Sequence, residues 1–247
     1  MQNKQDSANE RHWLMRAFDQ AADVAGASAG AAVGASIAGN DPVLAAAVGV
    51  GFAQAIKSVG AEIEERWLAP RERLRLSTSA KLIVMKIKTN YDRGKRPRAD
   101  AFFQPTNDDR SAAEEIFEAT MLAIQRDAQE KKSQLYSNLV ANIAFDSTVD
   151  RAFANYLVAL TERLTYRQLC MLALFGGDVS TLQLHGSYRG YQERLSWDKW
   201  SVLQEMYDLC RARLLNNQDA SAYIDLADIN PSGTVLDGVA NKMFQLM

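Results

Sequence analysis

The chain has 247 residues, 47% of them hydrophobic, which suits one or two globular domains able to bury a core. A formal net charge of −2 hides an asymmetry: residues 71–98 carry net +8, leaving about −10 for the rest of the chain. Two histidines exclude a histidine-rich metal site, and two cysteines, Cys170 and Cys210, exclude a disulfide framework.

Residues 1–12 are polar and read as a flexible N-terminus. Residues 13–69 read as a Gly/Ala-rich helical hairpin. From Val24 to Ile56 the only ionisable side chain is Asp41, within the turn-forming Gly39-Asn40-Asp41-Pro42. Gly26, Gly30 and Gly34 recur at every fourth residue of the first arm. Each glycine inside a helix costs about 1 kcal/mol relative to alanine. Three on one face imply a return, and close approach of another helix backbone is the usual one. In the second arm Leu44, Val48, Phe52, Ile56 and Ile63 fall near helical spacing.

Residues 70–110 read as a basic helix and linker. Pro70 suits the start of a helix to about Lys88, with Leu74, Thr78, Leu82 and Met85 on one face. Residues 92–110 read as a charged, proline-bearing loop and the natural domain boundary. Residues 111–247 read as a C-terminal helical domain. Ser111 and Glu114 have capping-box spacing, ahead of the apolar positions Ala113, Phe117, Met121, Ile124 and Ala128. Leu135, Leu139 and Ile143 mark the next helix, and Phe153, Leu157, Leu160 and Leu164 another. Thr165 and Gln168 form a second capping box for a helix ending at Gly176-Gly177. Trp197, Trp200, Leu203, Tyr207, Cys210 and Leu214 read as one long helix. Residues 223–229 suggest a short strand, 230–233 a turn, and Val235, Val239, Met243 and Leu246 a closing helix. The fold class expected is mainly α, with a small strand/turn element near the C-terminus.

Two functional regions stand out. Small residues every fourth position allow helices to pack closely in a membrane, although each charge-free arm is near the lower limit of the ~17–25 residues needed to cross one. The plainer reading is a soluble hairpin packed within an oligomer. Trp13 and Trp67 lie equally far from Asn40 along the chain, so a hairpin folded there sets both indoles at one level, as tryptophans sit at a lipid–water interface. The basic residues Arg71, Arg73, Arg75, Lys86, Lys88, Arg93, Lys95, Arg96 and Arg98 follow directly and are expected to face a membrane or a partner. Tyr91 is the only aromatic among them, so a stacking platform for nucleic acid is not indicated.

No nucleophile–histidine arrangement, Cys-x-x-Cys pair, His-Glu-x-x-His or phosphate-cradling glycine loop occurs, so no catalytic residue, metal ligand or cofactor is expected and the chain reads as a non-enzyme. Both cysteines read as core-filling thiols in a reducing compartment, and His185 as a surface residue. The first 23 residues have no secretion-signal pattern, so residence is expected in the cytoplasm, with conditional association with the inner membrane.

Three stretches carry a resemblance: residues 130–145, with Glu130-Lys131-Lys132 and Tyr136-Ser-Asn-Leu-Val-Ala-Asn142; Leu164-Thr-Tyr-Arg-Gln-Leu-Cys-Met-Leu-Ala-Leu174; and Ile229-Asn-Pro-Ser-Gly233 with Met243-Phe-Gln-Leu-Met247. In these the chain resembles bacterial proteins related to the abortive-infection alpha group, where a glycine/alanine-rich hydrophobic part precedes a helical domain. The resemblance covers residues 111–247 in wording and 13–68 only in character. It implies defence against phage through arrest or death of the infected cell, and it brings no catalytic residues. The expectation is a homo-oligomeric effector whose hairpin perturbs the inner membrane, with a sensor or regulatory partner. The alternative is a soluble all-α scaffold whose hairpin mediates oligomerisation without touching lipid.

Overall fold

The computed structural model describes residues 68–105, 110–188, 195–217 and 225–247, together with Val59 and Ile63, which are helical and buried. Apart from Val59, Ile63, Leu68 and Ala69, the expected hairpin, with Trp13, Gly26, Gly30, Gly34 and Trp67, lies outside the described residues. The chain is mainly helical. Seven α-helices and a two-stranded sheet are described, divided between two compact units, one running to Arg163 and including Met247, the other Leu164–Leu246.

The first unit holds α1 (Pro70–Asp92), α2 (Ala112–Arg126), α3 (Lys132–Ile143) and α4 (Arg151–Arg163). Pro70 occupies the first turn of α1, where its missing N–H is no loss, and Glu72 accepts from the Ala69 N–H at 2.8 Å. The helix ends at Gly94, whose φ of +80° favours glycine. There Gly94 N–H bonds to Tyr91 O at 2.8 Å and Lys95 N–H to Asn90 O at 3.0 Å, a Schellman ending. The capping box at α2 forms as expected: Ser111 Oγ accepts from Glu114 N at 3.2 Å, and Glu114 Oε2 accepts from Ser111 N at 2.9 Å.

Helix α1 packs most extensively along α3, and α2 packs on α3 and α4. Small residues Ser79, Ala80, Ser137 and Ala141 are buried in α1 and α3. They let the two backbones approach closely enough for Ser137 Oγ to donate to Ser79 O at 3.2 Å. Leu76, Ile83 and Ile87 of α1, Phe117, Met121 and Ile124 of α2, Leu139 and Ile143 of α3, and Leu157 and Leu160 of α4 supply the apolar core. The expected apolar face of α1 is not its buried one. Leu74 and Met85 are 67% and 48% exposed, whereas Leu76, Ser79, Ala80, Ile83, Val84, Ile87 and Asn90 are inside. The buried face combines the aliphatic Leu76, Ile83, Val84 and Ile87 with the small or polar Ser79, Ala80 and Asn90, and it is along α3 that α1 packs most extensively.

The 92–110 segment, expected to be a linker, is fastened to the first unit over the part described. Arg98 N–H bonds to Ala144 O at 3.1 Å, and Phe102 and Phe103 are buried in a single 3₁₀ turn. The compact units part company later in the chain than this loop, within the stretch expected to be one C-terminal domain.

The second unit holds α5 (Tyr166–Gly176), α6 (Trp197–Arg211), β1 (Leu215–Asn217), β2 (Thr234–Leu236) and α7 (Gly238–Leu246). The Thr165/Gln168 capping box is present, with Thr165 Oγ1 accepting from Gln168 N at 3.1 Å. Strands β1 and β2 pair antiparallel with Leu215 opposite Leu236 and Asn217 opposite Thr234. The strand expected over 223–229 is replaced, where described, by a 3₁₀ turn at Leu226–Asp228 held by the Asp225 carboxylate. Val235 belongs to β2 rather than to the closing helix, which starts at Gly238. Gly176 ends α5 against the ring of Phe244, where a Cβ would lie 2.5 Å from Cγ.

Candidate functional site

The basic segment provides the candidate site residues within the described part of the chain, and their surroundings divide them. A helix C-terminus leaves carbonyls without partners and carries partial negative charge, so an arginine beside it finds ready acceptors. Two of the basic residues do this work. Arg75 donates through Nη2 to Gln125 O at 2.9 Å and through Nη1 to Asp127 O, closing the end of α2. Arg98 donates through Nη1 to Val149 O at 2.8 Å and Ile143 O at 3.4 Å, closing the end of α3. Its Nε and Nη2 hold Asp100 at 2.7 and 2.5 Å, and its guanidinium lies 4.0 Å from the centre of the Phe102 ring. The Arg98 hydrogen bond keeps the Asp100 carboxyl below the ordinary carboxylate value. With its side chain 2% exposed, Arg98 faces neither a membrane nor a partner, which corrects the expectation for that residue.

The other basic residues lie nearer the surface. Arg71 is exposed and pairs with Glu130 at 2.7 Å, and Lys88 pairs with Asp92 at 2.7 Å one turn along α1. Arg73 and Lys86 are half-buried, while Arg93, Lys95 and Arg96 are exposed. The structure therefore brings Arg71 and Arg75 to one place, the α2–α3 turn, and sets Arg93, Lys95 and Arg96 together beyond the end of α1.

That same turn contains a cluster with no sequence signature. Lys132 is buried, and its Nζ lies 2.5 Å from Asp127 Oδ2 and 3.1 Å from Glu162 O in the last turn of α4. Tyr136 OH donates to the same Asp127 oxygen at 3.2 Å, and Gln129 N–H donates to the other at 2.9 Å. Burial first, then the neighbouring Asp127 charge, pushes the Tyr136 phenol far above its ordinary value, so it stays a neutral donor. Asp127 thus joins three helices: α1 through its backbone oxygen, α3 through Lys132 and Tyr136, and α4 through Lys132. Lys131 and Lys132 read alike in the sequence; only packing separates the exposed one from the buried one.

The cysteines divide as well. Cys210 is buried, and burial pushes its thiol up to about 11. Cys170 is exposed, contrary to the expectation of two core thiols. Among the described residues no group of three or more His, Cys, Asp or Glu is placed to hold a metal ion. No helix among them is long and apolar enough to cross a membrane. Comparison with family models, curated proteins and solved structures finds no match to this chain.

Proposed function

We propose that this protein is a non-enzymatic, self-assembling effector: its folded units hold a Gly/Ala-rich hairpin that oligomerises through Gly26, Gly30 and Gly34 and perturbs a membrane. The observation that carries the reading is how the hairpin region joins the rest of the chain. Residues 57–69, which include Lys57, Glu62, Glu64, Glu65 and Arg66, lead from the nearly charge-free run into α1, and α1 is anchored along α3 by a buried face from Leu76 to Asn90. The reading is supported by this order along the chain: a nearly charge-free Gly/Ala run, a short charged stretch, and then a helix whose later turns are packed into the first unit. The resemblance to the abortive-infection alpha group gives the role its setting, defence against phage.

The test is Gly30→Leu. Leucine adds bulk at the centre of the glycine face while improving helix propensity and hydrophobicity, so loss of helix or of lipid affinity would not explain a defect. Growth inhibition, dye leakage from vesicles and cross-linked oligomers should all be lost, with Ala31→Leu much milder. A Gly30→Leu protein that leaks membranes as wild type does would refute the glycine-face mechanism.

One observation favours a second reading, a soluble all-α oligomeric scaffold. Arg75 and Arg98 are engaged within the protein and Lys88 is paired with Asp92, so the basic belt next to the hairpin is thinner than its composition implies. Co-sedimentation with anionic vesicles separates the two readings: the scaffold would assemble in solution and stay in the supernatant.

A further inference from the structure

Helix α1 is held in two different ways along its length. From Leu76 onward it is fixed by buried side chains, but from Pro70 to Arg75 no residue is buried. That first stretch touches the body through polar contacts: Arg71 Nε to Glu130 Oε1 at 2.7 Å, and Arg75 to the carbonyls of Gln125 and Asp127. Both arginines reach the same α2–α3 turn, which Lys132 and Tyr136 in turn fasten to α3 and α4. The arginines stand four residues apart, so both lie on one side of α1.

We propose that Arg71 and Arg75, gripping the Gln125–Glu130 turn, form a polar latch that sets how firmly the exit of the hairpin is fixed to the first unit. The inference rests on the reading of the hairpin as the active element and names its control. Segments held by few apolar contacts open at low free energy, and an exposed ion pair weakens as salt rises. The stretch from Pro70 to Arg75 therefore opens before the rest of α1 does, and a partner that competes for Glu130 or for the two arginines would open it. An anionic lipid headgroup, which the proposed membrane role would bring to the hairpin, has the chemistry to take the arginines.

The experiment uses the full chain and follows hydrogen exchange at the α1 amides, with vesicle leakage measured in parallel. Glu130→Arg sets like charges against Arg71 and Arg75 and should raise exchange at amides 73–76, the first with helical acceptors, about tenfold, leaving amides 83–90 unchanged. The charge swap Arg71→Glu with Glu130→Arg should return exchange close to wild type. Arg75→Ala should act as Glu130→Arg does. Leakage should begin at lower protein concentration for the two opened variants and revert in the swap. Unchanged exchange in Glu130→Arg, or exchange that the swap fails to restore, overturns the latch. Raised exchange with leakage identical to an active wild type overturns its control of the hairpin. If wild type itself causes no leakage, the membrane reading fails, and the latch is then judged by exchange and by hairpin-dependent self-association in solution.

Discussion

Replacing Lys132 by methionine removes a charge from the buried Asp127–Lys132–Tyr136 cluster while nearly keeping the side-chain volume. The Lys132 and Asp127 side chains are 2% and 12% exposed, with Nζ and Oδ2 2.5 Å apart. Breaking a buried ion pair from one side costs about 3–5 kcal/mol, because the remaining charge stays buried without its partner. Asp127 keeps some water contact and two other donors, Tyr136 OH and Gln129 N–H, so the expected loss for Lys132→Met is about 2–4 kcal/mol. The double variant Lys132→Met/Asp127→Leu removes both charges. It should be more stable than the single variant, though still below wild type, because Tyr136 OH and Gln129 N–H lose their acceptor. Arg75 would keep its bond in either case, since it binds the Asp127 backbone oxygen. Urea unfolding of the full chain, followed by far-ultraviolet circular dichroism, measures these differences through shifts in midpoint at constant slope. The reasoning is refuted if Lys132→Met lies within about 0.5 kcal/mol of wild type, a threshold set by the ~1 kcal/mol scale of a single hydrogen bond, or if the double variant is the less stable of the two.

Three further outcomes follow from the described geometry. Iodoacetamide at pH 8 should label exposed Cys170 in the native protein and leave Cys210 unlabelled until denaturant is added, as peptide mass spectrometry would register; equal labelling of both would contradict the burial of Cys210. Arg213→Gly should stabilise the protein by about 0.5–1 kcal/mol in thermal unfolding, because a φ of 54° is a left-handed conformation that glycine adopts without strain. Burial opposes ionisation of Glu115, but hydrogen bonds from Arg151 and Asn155 outweigh it and hold the carboxyl below its ordinary value. Its contribution is therefore present above the ordinary carboxylate range and lost as pH falls through the depressed native value. Glu115→Gln should flatten the acid limb of the stability profile by under about 1 kcal/mol, since the pair is partly solvated.

Local chemistry made much of the framework legible. Ser111 with Glu114 and Thr165 with Gln168 announce two helix starts, because capping needs residues only three apart and no tertiary partner. The ending of α1 lies beyond the expected Lys88: the helix runs on to Asp92, and Gly94 supplies the left-handed stop. The ending of α6 at Arg213 was illegible for the complementary reason: the Schellman bonds from Arg213 N–H to Cys210 O and Leu214 N–H to Leu209 O form there without a glycine. The pairing of β1 with β2 joins residues about twenty apart, and three-residue strands have no alternation long enough to read.

By itself the sequence determined the mainly helical class, both capping boxes and the α1 start at Pro70, since these depend on propensities and on contacts between residues a few positions apart. Tertiary structure alone decided which face of α1 goes inside, which of Lys131 and Lys132 is buried, and whether an arginine is a surface charge or a helix cap. Arg98 and Arg96 are two residues apart and identical in type, yet one is sealed against the carbonyls of Ile143 and Val149 while the other is exposed. Some counter-groups are local, as Asp100 is for Arg98 and Asp92 for Lys88, but the distant carbonyls that an arginine caps leave no local sign. The role of such an arginine is set by which helix end the fold brings within hydrogen-bonding distance, and that is information spread over the whole chain.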